Sequence, residues 1–141
     1  MLPNIRIADP SEVGEIARLV GEVMEEVADY DREEYVAKLV QGGLCMVCSL
    51  NGELVGAVTG EALVGSGCMI WHLAVKPGHR GMGLGKRLLR EYLETLGGRG
   101  VEWFCGTCFE KGFWQKMGVT FEKKRLFEFN GSIPCTARIG G

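Results

Sequence analysis

Between Leu73 and Leu89 the chain reads LAVKPGHRGMGLGKRLL, an apolar strand end, a Pro-Gly turn, glycines at 78, 81, 83 and 85, and a basic amphipathic run. Between a strand and a helix, glycines let successive backbone N–H groups turn toward one point, and the helix N-terminus adds partial positive charge there. Such a loop binds phosphate, and Lys76, Arg80, Lys86 and Arg87 bring counter-charge to it. Spacing excludes two familiar phosphate loops. A nucleotide-triphosphatase loop needs glycine where Arg80 stands and Ser or Thr where Arg87 stands. A dinucleotide fingerprint needs a further glycine where Lys86 or Leu88 stands.

Other side chains carry chemistry of their own. His72 has an ordinary pKa near neutrality and lies just before the loop, and Glu61 closes the preceding apolar run, so both are candidate bases. His79 reads as a loop residue. Two C-x-x-C pairs, Cys45 with Cys48 and Cys105 with Cys108, have the composition of a four-thiolate zinc site. In a strand, however, residues three apart point to opposite faces, so buried thiols and no metal are expected. Thr107 and Glu110 form a capping-box pattern that places Cys108 at a helix N-terminus, where thiolates are favoured. The plainer alternative is an ordinary first-turn cysteine. Trp71, Trp103, Phe104, Phe113 and Phe121 read as core, and Glu22, Glu25, Glu26, Asp29 and Asp31 as a solvated face.

The elements that must position these groups follow from periodicity. NIRIAD alternates as a strand, and a helical stripe of Val13, Ile16, Ala17, Leu19, Val20 and Val23 predicts a helix over 11–28 with Ser11 as its cap. A shorter helix follows, capped by Asp31 and stopped by Gly42 and Gly43. LCMVCSL and ELVGAVTGEAL, joined by Asn51-Gly52, form a hairpin, and GCMIWHLAV adds a third strand through the turn VGSG. GLGKRLLREYLETLGG is helical with Leu84, Leu88, Leu89, Tyr92, Leu93 and Leu96 on its buried face. VEWFC is a strand, TCFEKGFWQKMG a helix, and RLFEFNGSIPCTARI a hairpin around Asn130-Gly131. The order β-α-α-β-β-β-α-β-α-β-β predicts an α/β fold, a mixed, mostly antiparallel twisted sheet flanked by helices, with one parallel crossover from WHLAV to VEWFC.

Bulk properties bound the function. A chain of 141 residues without repeats or linkers fits a single domain over 1–141. With 16 basic and 18 acidic residues the net charge is -2, so no broad basic field exists for nucleic acid. No leader pattern and no apolar run of about 18 residues occurs. The expectation is a cytoplasmic protein with reduced cysteines and no membrane partner.

Arg80-Gly81-Met82-Gly83-Leu84-Gly85, with LAVKP before it and KRLL after, closely resembles the acyl-CoA-binding motif of the GNAT superfamily of N-acetyltransferases. FWQKMGV is similar to that family's Phe-Tyr-x-Lys-x-Gly-Phe segment, and the order of elements agrees along nearly the whole chain. The resemblance implies the acyl-CoA N-acyltransferase fold and direct transfer of an acetyl group from acetyl-CoA, as cosubstrate, to an amine. It places the CoA pyrophosphate on the amides of Met82, Gly83, Leu84, Gly85 and Lys86, behind Arg80 and Gly81. It lays the pantetheine arm along Leu73, Ala74 and Val75, with Leu73 and Val75 as the contacts. Family bases on the fourth strand fall at Met69 or Trp71, and alternation puts His72 on the other face with Ala74. A bulge there would move it.

The family's general acid is the tyrosine of its Phe-Tyr pair, where this chain has Trp114. An indole N–H donates a hydrogen bond but gives up no proton near neutral pH, so Trp114 shapes the thiol site while water, Cys108 or the substrate ammonium supplies the proton. The resemblance further implies that the acidic segment between the first two helices borders the acceptor and that pairing into homodimers is common. A non-catalytic acyl-CoA-binding module is the rival reading, suggested by the absent tyrosine. The acceptor class stays open, a small-molecule amine being the broadest expectation.

Overall fold

The computed structural model describes residues 2–24, 32–107, 121–122 and 134–138. β1 (Asn4–Ile7) leads through a 3-10 turn (Pro10–Glu12) into α1 (Val13–Met24), and α2 (Arg32–Gln41) precedes β2 (Met46–Leu50). β3 (Glu53–Leu63), β4 (Gly67–Val75), α3 (Leu84–Gly98), β5 (Trp103–Thr107), β6 (Phe121–Glu122) and β7 (Pro134–Arg138) follow. They make one seven-stranded sheet in the order β1-β2-β3-β4-β5-β7-β6. β4 and β5 run parallel, connected by α3, and the other pairs are antiparallel. This is the mixed, mostly antiparallel sheet with flanking helices that the hydrophobic periodicity predicts. Of the expected helix over 107–118, Thr107 is the last residue of β5, and the rest, like the first arm of the closing hairpin, lies outside the described residues.

The sheet buries a different cluster on each face. On one side Leu84, Leu88, Leu89, Tyr92 and Leu96 of α3 pack on Met46, Cys48, Val55, Val58, Cys68, Ile70 and Phe104. Their spacing repeats every helical turn, and burying each such side chain contributes about 2 kcal/mol. On the other side Ile16, Ala17, Leu19 and Val20 of α1 and Val36, Leu39 and Val40 of α2 pack on Cys45, Val47, Leu54, Ala57 and Ala74. Cys45 and Cys48 therefore fall on opposite faces, as strand geometry requires. Among the described residues no group of three or more metal-ligating side chains occurs. No described helix is long and apolar enough to cross a membrane.

Two local expectations change. The entry to α1 is capped by Asp9 rather than Ser11: the Ser11 N–H donates to Asp9 Oδ1 at 2.9 Å, and Glu12 accepts the Asp9 N–H at 2.8 Å. Arg6 of β1 grips both Glu12 oxygens, at 2.6 and 2.7 Å, and so ties the cap to the sheet. Proline at the next position favours that earlier start, because its missing N–H is no loss there. β5 begins at Trp103, two residues later than VEWFC suggests, because the turn after α3 is closed by the Val101 N–H on Leu96 O and by the Glu102 N–H on Ser66 O.

Candidate functional site

The chain from Val75 to Leu84 is arranged as the glycine spacing predicts. Gly78, Gly81 and Gly83 have φ of 91, 81 and 77°, a left-handed conformation that L side chains rarely adopt. A Cβ built on any of the three meets nothing within 4 Å, so the loop leaves open space above itself. Gly83 caps α3 without any side-chain hydrogen bond, and the helical ladder starts with the Arg87 N–H on Gly83 O. The amides just before Arg87 therefore have no intrahelical acceptor and carry the positive end of a helix of 15 residues. Leu84 is buried against the α3-side core and fixes the first turn, while Met82 and Lys86 are exposed.

The basic residues differ from one another. Lys76 pairs with Glu53 across the hairpin, an arrangement that raises the ammonium pKa and lowers that of the carboxyl. Arg87 lies 3.6 Å from Glu91 one turn on. Arg80 Nε donates to Val75 O at 3.2 Å, which carries the guanidinium back across the end of β4. Lys86 enters no ion pair among the described residues. Only part of the expected counter-charge is thus uncommitted.

β4 is the second component. Among the described residues it pairs with β5 from Gly67↔Trp103 to Ile70↔Gly106, although β4 continues to Val75. Opposite β3 the register slips between Thr59↔His72 and Gly60↔Ile70, leaving Trp71 as the extra residue of a bulge. The slip falls just beyond the last pair of β4 with β5 among the described residues. The Lys76 N–H donates to Val55 O, so by alternation Ala74 and His72 turn their backbone groups to β3. Those of Leu73 and Val75 face the opened side. Ala74 has its methyl wholly buried in the α1/α2 cluster, so of the three expected strand contacts it is the one with neither group on that side.

The bulge also corrects the expected faces. Cys68 and Ile70 point to α3, yet Trp71 and Ala74 both pack on the α1/α2 side. His72, paired with Thr59 and in step with Ala74, joins them instead of lying on a face apart from Trp71. Here Trp71 donates its indole N–H to Glu61 Oε2 at 3.0 Å and meets the Tyr35 ring edge-on at 5.8 Å. Glu61 and Trp71 are thereby brought together beside the opened strand. Neither Thr59 nor Tyr35 stands out in the sequence. A lone hydroxyl within the apolar run ELVGAVTGEAL is the signal that marks Thr59. Trp114 and Cys108 lie outside the described residues.

His72 is 6% exposed, and burial, helped by the Arg32 charge, lowers its pKa to about 4. The imidazole is neutral near pH 7 and too weakly basic to hold an ammonium's proton. The unfolded chain takes up that proton near pH 6.5. The unfolded state therefore binds the extra proton between about pH 6.5 and 4, and stability is lost as pH falls through this window. Urea unfolding should show a loss on the order of 3 kcal/mol there, absent in His72→Phe. Burial likewise pushes the Cys45 and Cys105 thiols up to about 11, so both stay protonated.

The acetyltransferase (GNAT) family model matches residues 12–119. No sequence of a curated protein matches that of the chain. Among solved structures, N-acetylglutamate synthase from Neisseria gonorrhoeae, complexed with coenzyme A and N-acetyl-glutamate, superposes with a TM-score of 0.82 at 19% identity. That match covers 100% of this chain and only 36% of the synthase. A GNAT-family acetyltransferase from Staphylococcus aureus gives 0.81 at 15% identity, over 97% of this chain and 99% of its own. The PaiA N-acetyltransferase from Thermoplasma acidophilum, in complex with coenzyme A, gives 0.72 at 15%, over 98% and 99%.

Proposed function

Because the chain belongs to the acetyltransferase (GNAT) family, we propose that it transfers an acetyl group from acetyl-CoA directly to the primary amine of a small molecule, in a ternary complex. The observation that carries this reading is the juxtaposition of two features. Among the described residues β4 runs on past Ile70 with β3 on one side and no strand on the other, and the open glycine loop with its unbonded helix amides begins directly after it. An arm bearing amides can add to that edge at Leu73 and at the Val75 N–H as a further strand would, Val75 O being taken by Arg80 Nε, and a pyrophosphate suits the amides of Met82 to Lys86. Arg80 and Lys86 supply the charge that Lys76 and Arg87 commit elsewhere. The residues present thus fit acetyl-CoA, which brings the activated acyl group.

The chain's own residues then align and deprotonate the amine. The α1/α2 face beside the bulge is the side from which an acceptor reaches the opened strand. Glu61 is exposed there, and its hydrogen bond to Trp71 orients the carboxylate. We assign it as the base that takes the ammonium proton, directly or through one water, in place of the buried His72. Glu61→Gln should lower kcat about 100-fold and leave the KM for acetyl-CoA within twofold, as loss of a general base does. Unchanged turnover would remove Glu61 from the mechanism.

The test of the whole reading is incubation with acetyl-CoA and a pooled panel of amino acids, polyamines, amino sugars and short peptides, with acetylated products identified by mass spectrometry. Products formed only when both acetyl-CoA and acceptor are present are the expected result. Acetyl-CoA binding with no product from any amine favours the non-catalytic binding module instead.

A further inference from the structure

Thr59 and His72 are the buried polar side chains of the described core, 0% and 6% exposed, and they sit opposite each other across β3 and β4. Thr59 Oγ1 lies 2.7 Å from His72 Nδ1. A buried hydroxyl has one proton to place, and among the described residues Nδ1 is the acceptor that Thr59 meets. The neutral ring then carries its own proton on Nε2. Among the described residues that nitrogen has no hydrogen-bond partner. His72 itself lies on the α1/α2 face, in step with Ala74 and next to the bulge at Trp71.

From this geometry we infer that Thr59 is a positioning residue that fixes His72 as the Nε2–H tautomer, making His72 a neutral hydrogen-bond donor to the acyl oxygen rather than a base. The donor role rests on the acetyl transfer proposed above. As the amine nitrogen forms its bond to the acyl carbon, the carbonyl π pair moves onto oxygen, and Nε2–H stabilises the charge there without giving up its proton. The pair returns to the carbonyl as the carbon–sulfur bond breaks and the thiolate leaves. A donor aimed at developing charge serves best when it is already oriented, and a threonine held on the neighbouring strand supplies that orientation.

The chain has two histidines, so 15N-histidine labelling gives two ring systems, and His79→Gln assigns them. Long-range 1H–15N spectra of the unsubstituted protein at pH 7 should show His72 with a protonated Nε2 and a bare Nδ1. This spectrum decides the tautomer whether or not any variant folds. Thr59→Val should mix the two tautomers and lower kcat roughly tenfold, with the KM for acetyl-CoA within twofold, and Thr59→Ser should restore both. A proton on Nδ1 in the unsubstituted protein, or a tautomer unmoved in Thr59→Val, overturns the positioning role. Unchanged kcat in Thr59→Val despite mixed tautomers overturns the donor role. Absence of acetyl transfer in the unsubstituted protein overturns the proposed function and the donor role with it, while the spectra still read the tautomer.

Discussion

Replacing Gly83 by glutamate is expected to weaken acetyl-CoA binding at least 100-fold while leaving the protein folded. Gly83 sits at φ 77° as the cap of α3, with nothing within 4 Å of the place a Cβ would occupy. An L side chain there is strained by about 1–2 kcal/mol, since its Cβ crowds the carbonyl in the left-handed region. Electrostatics outweighs that strain. A carboxylate at this cap lies where the helix amides converge, so it takes their hydrogen bonds and repels a pyrophosphate approaching the same point. Charge-assisted hydrogen bonds contribute about 1.5–3 kcal/mol each, and the loss of two accounts for the expected factor. The same carboxylate favours the positive end of the helix, which offsets part of the strain and keeps the fold. Calorimetric titration with CoA, read beside the thermal midpoint, separates the two effects. Gly83→Ala, which adds strain without charge, should lose about tenfold in affinity, so equal losses in both variants would assign the effect to backbone conformation alone.

Gly60→Ala is expected to cost about 3 kcal/mol of stability and roughly 10 °C in Tm. A methyl at this position would lie 1.9 Å from the Tyr92 hydroxyl, 2.9 Å from Cys68 Sγ and 3.2 Å from Leu44 O. Tyr92 is 1% exposed and donates to Leu44 O at 2.8 Å, so it cannot withdraw without breaking that bond. Overpacking and a stranded buried hydroxyl then act together. Urea unfolding of Gly60→Ala, Tyr92→Phe and the double variant makes the cause measurable. Removing the hydroxyl makes room, so the double variant should lose less than the sum of the singles. Strict additivity would show that the methyl clashes elsewhere. The position bears on function as well, because Gly60 flanks the slip in register that creates the bulge at Trp71. A backbone shift there should reduce turnover even where the protein remains folded.

Much of the fold is legible in the sequence because its signals are local. Alternation and the Asn51-Gly52 turn set the bounds of β3 and β4 residue for residue, and Asn51 and Gly52 adopt φ of 55 and 79°, as that pair favours in a tight hairpin. The helical repeat marks the face of α3 that is buried, and the glycines mark the loop, since a left-handed backbone demands that residue type wherever the chain goes next. The site is less legible. His72 and Trp71 share a face only because a residue is inserted opposite β3, and strand periodicity carries no trace of that insertion. Lys76 reads as free charge until the hairpin brings Glu53, 23 positions earlier, against it. Thr59 reads as a strand residue until His72 stands across from it.

By itself, then, the order of amino acids determined the elements, their buried faces and the glycine loop between β4 and α3, all consequences of rules acting within a few residues. Only the tertiary structure decided where the described pairing of β4 with β5 stops, which charges are already paired, and which nitrogen of His72 faces Thr59. Those outcomes depend on register between strands and on burial. Both arise from packing among residues distant in the chain, and neither leaves a periodic mark along it.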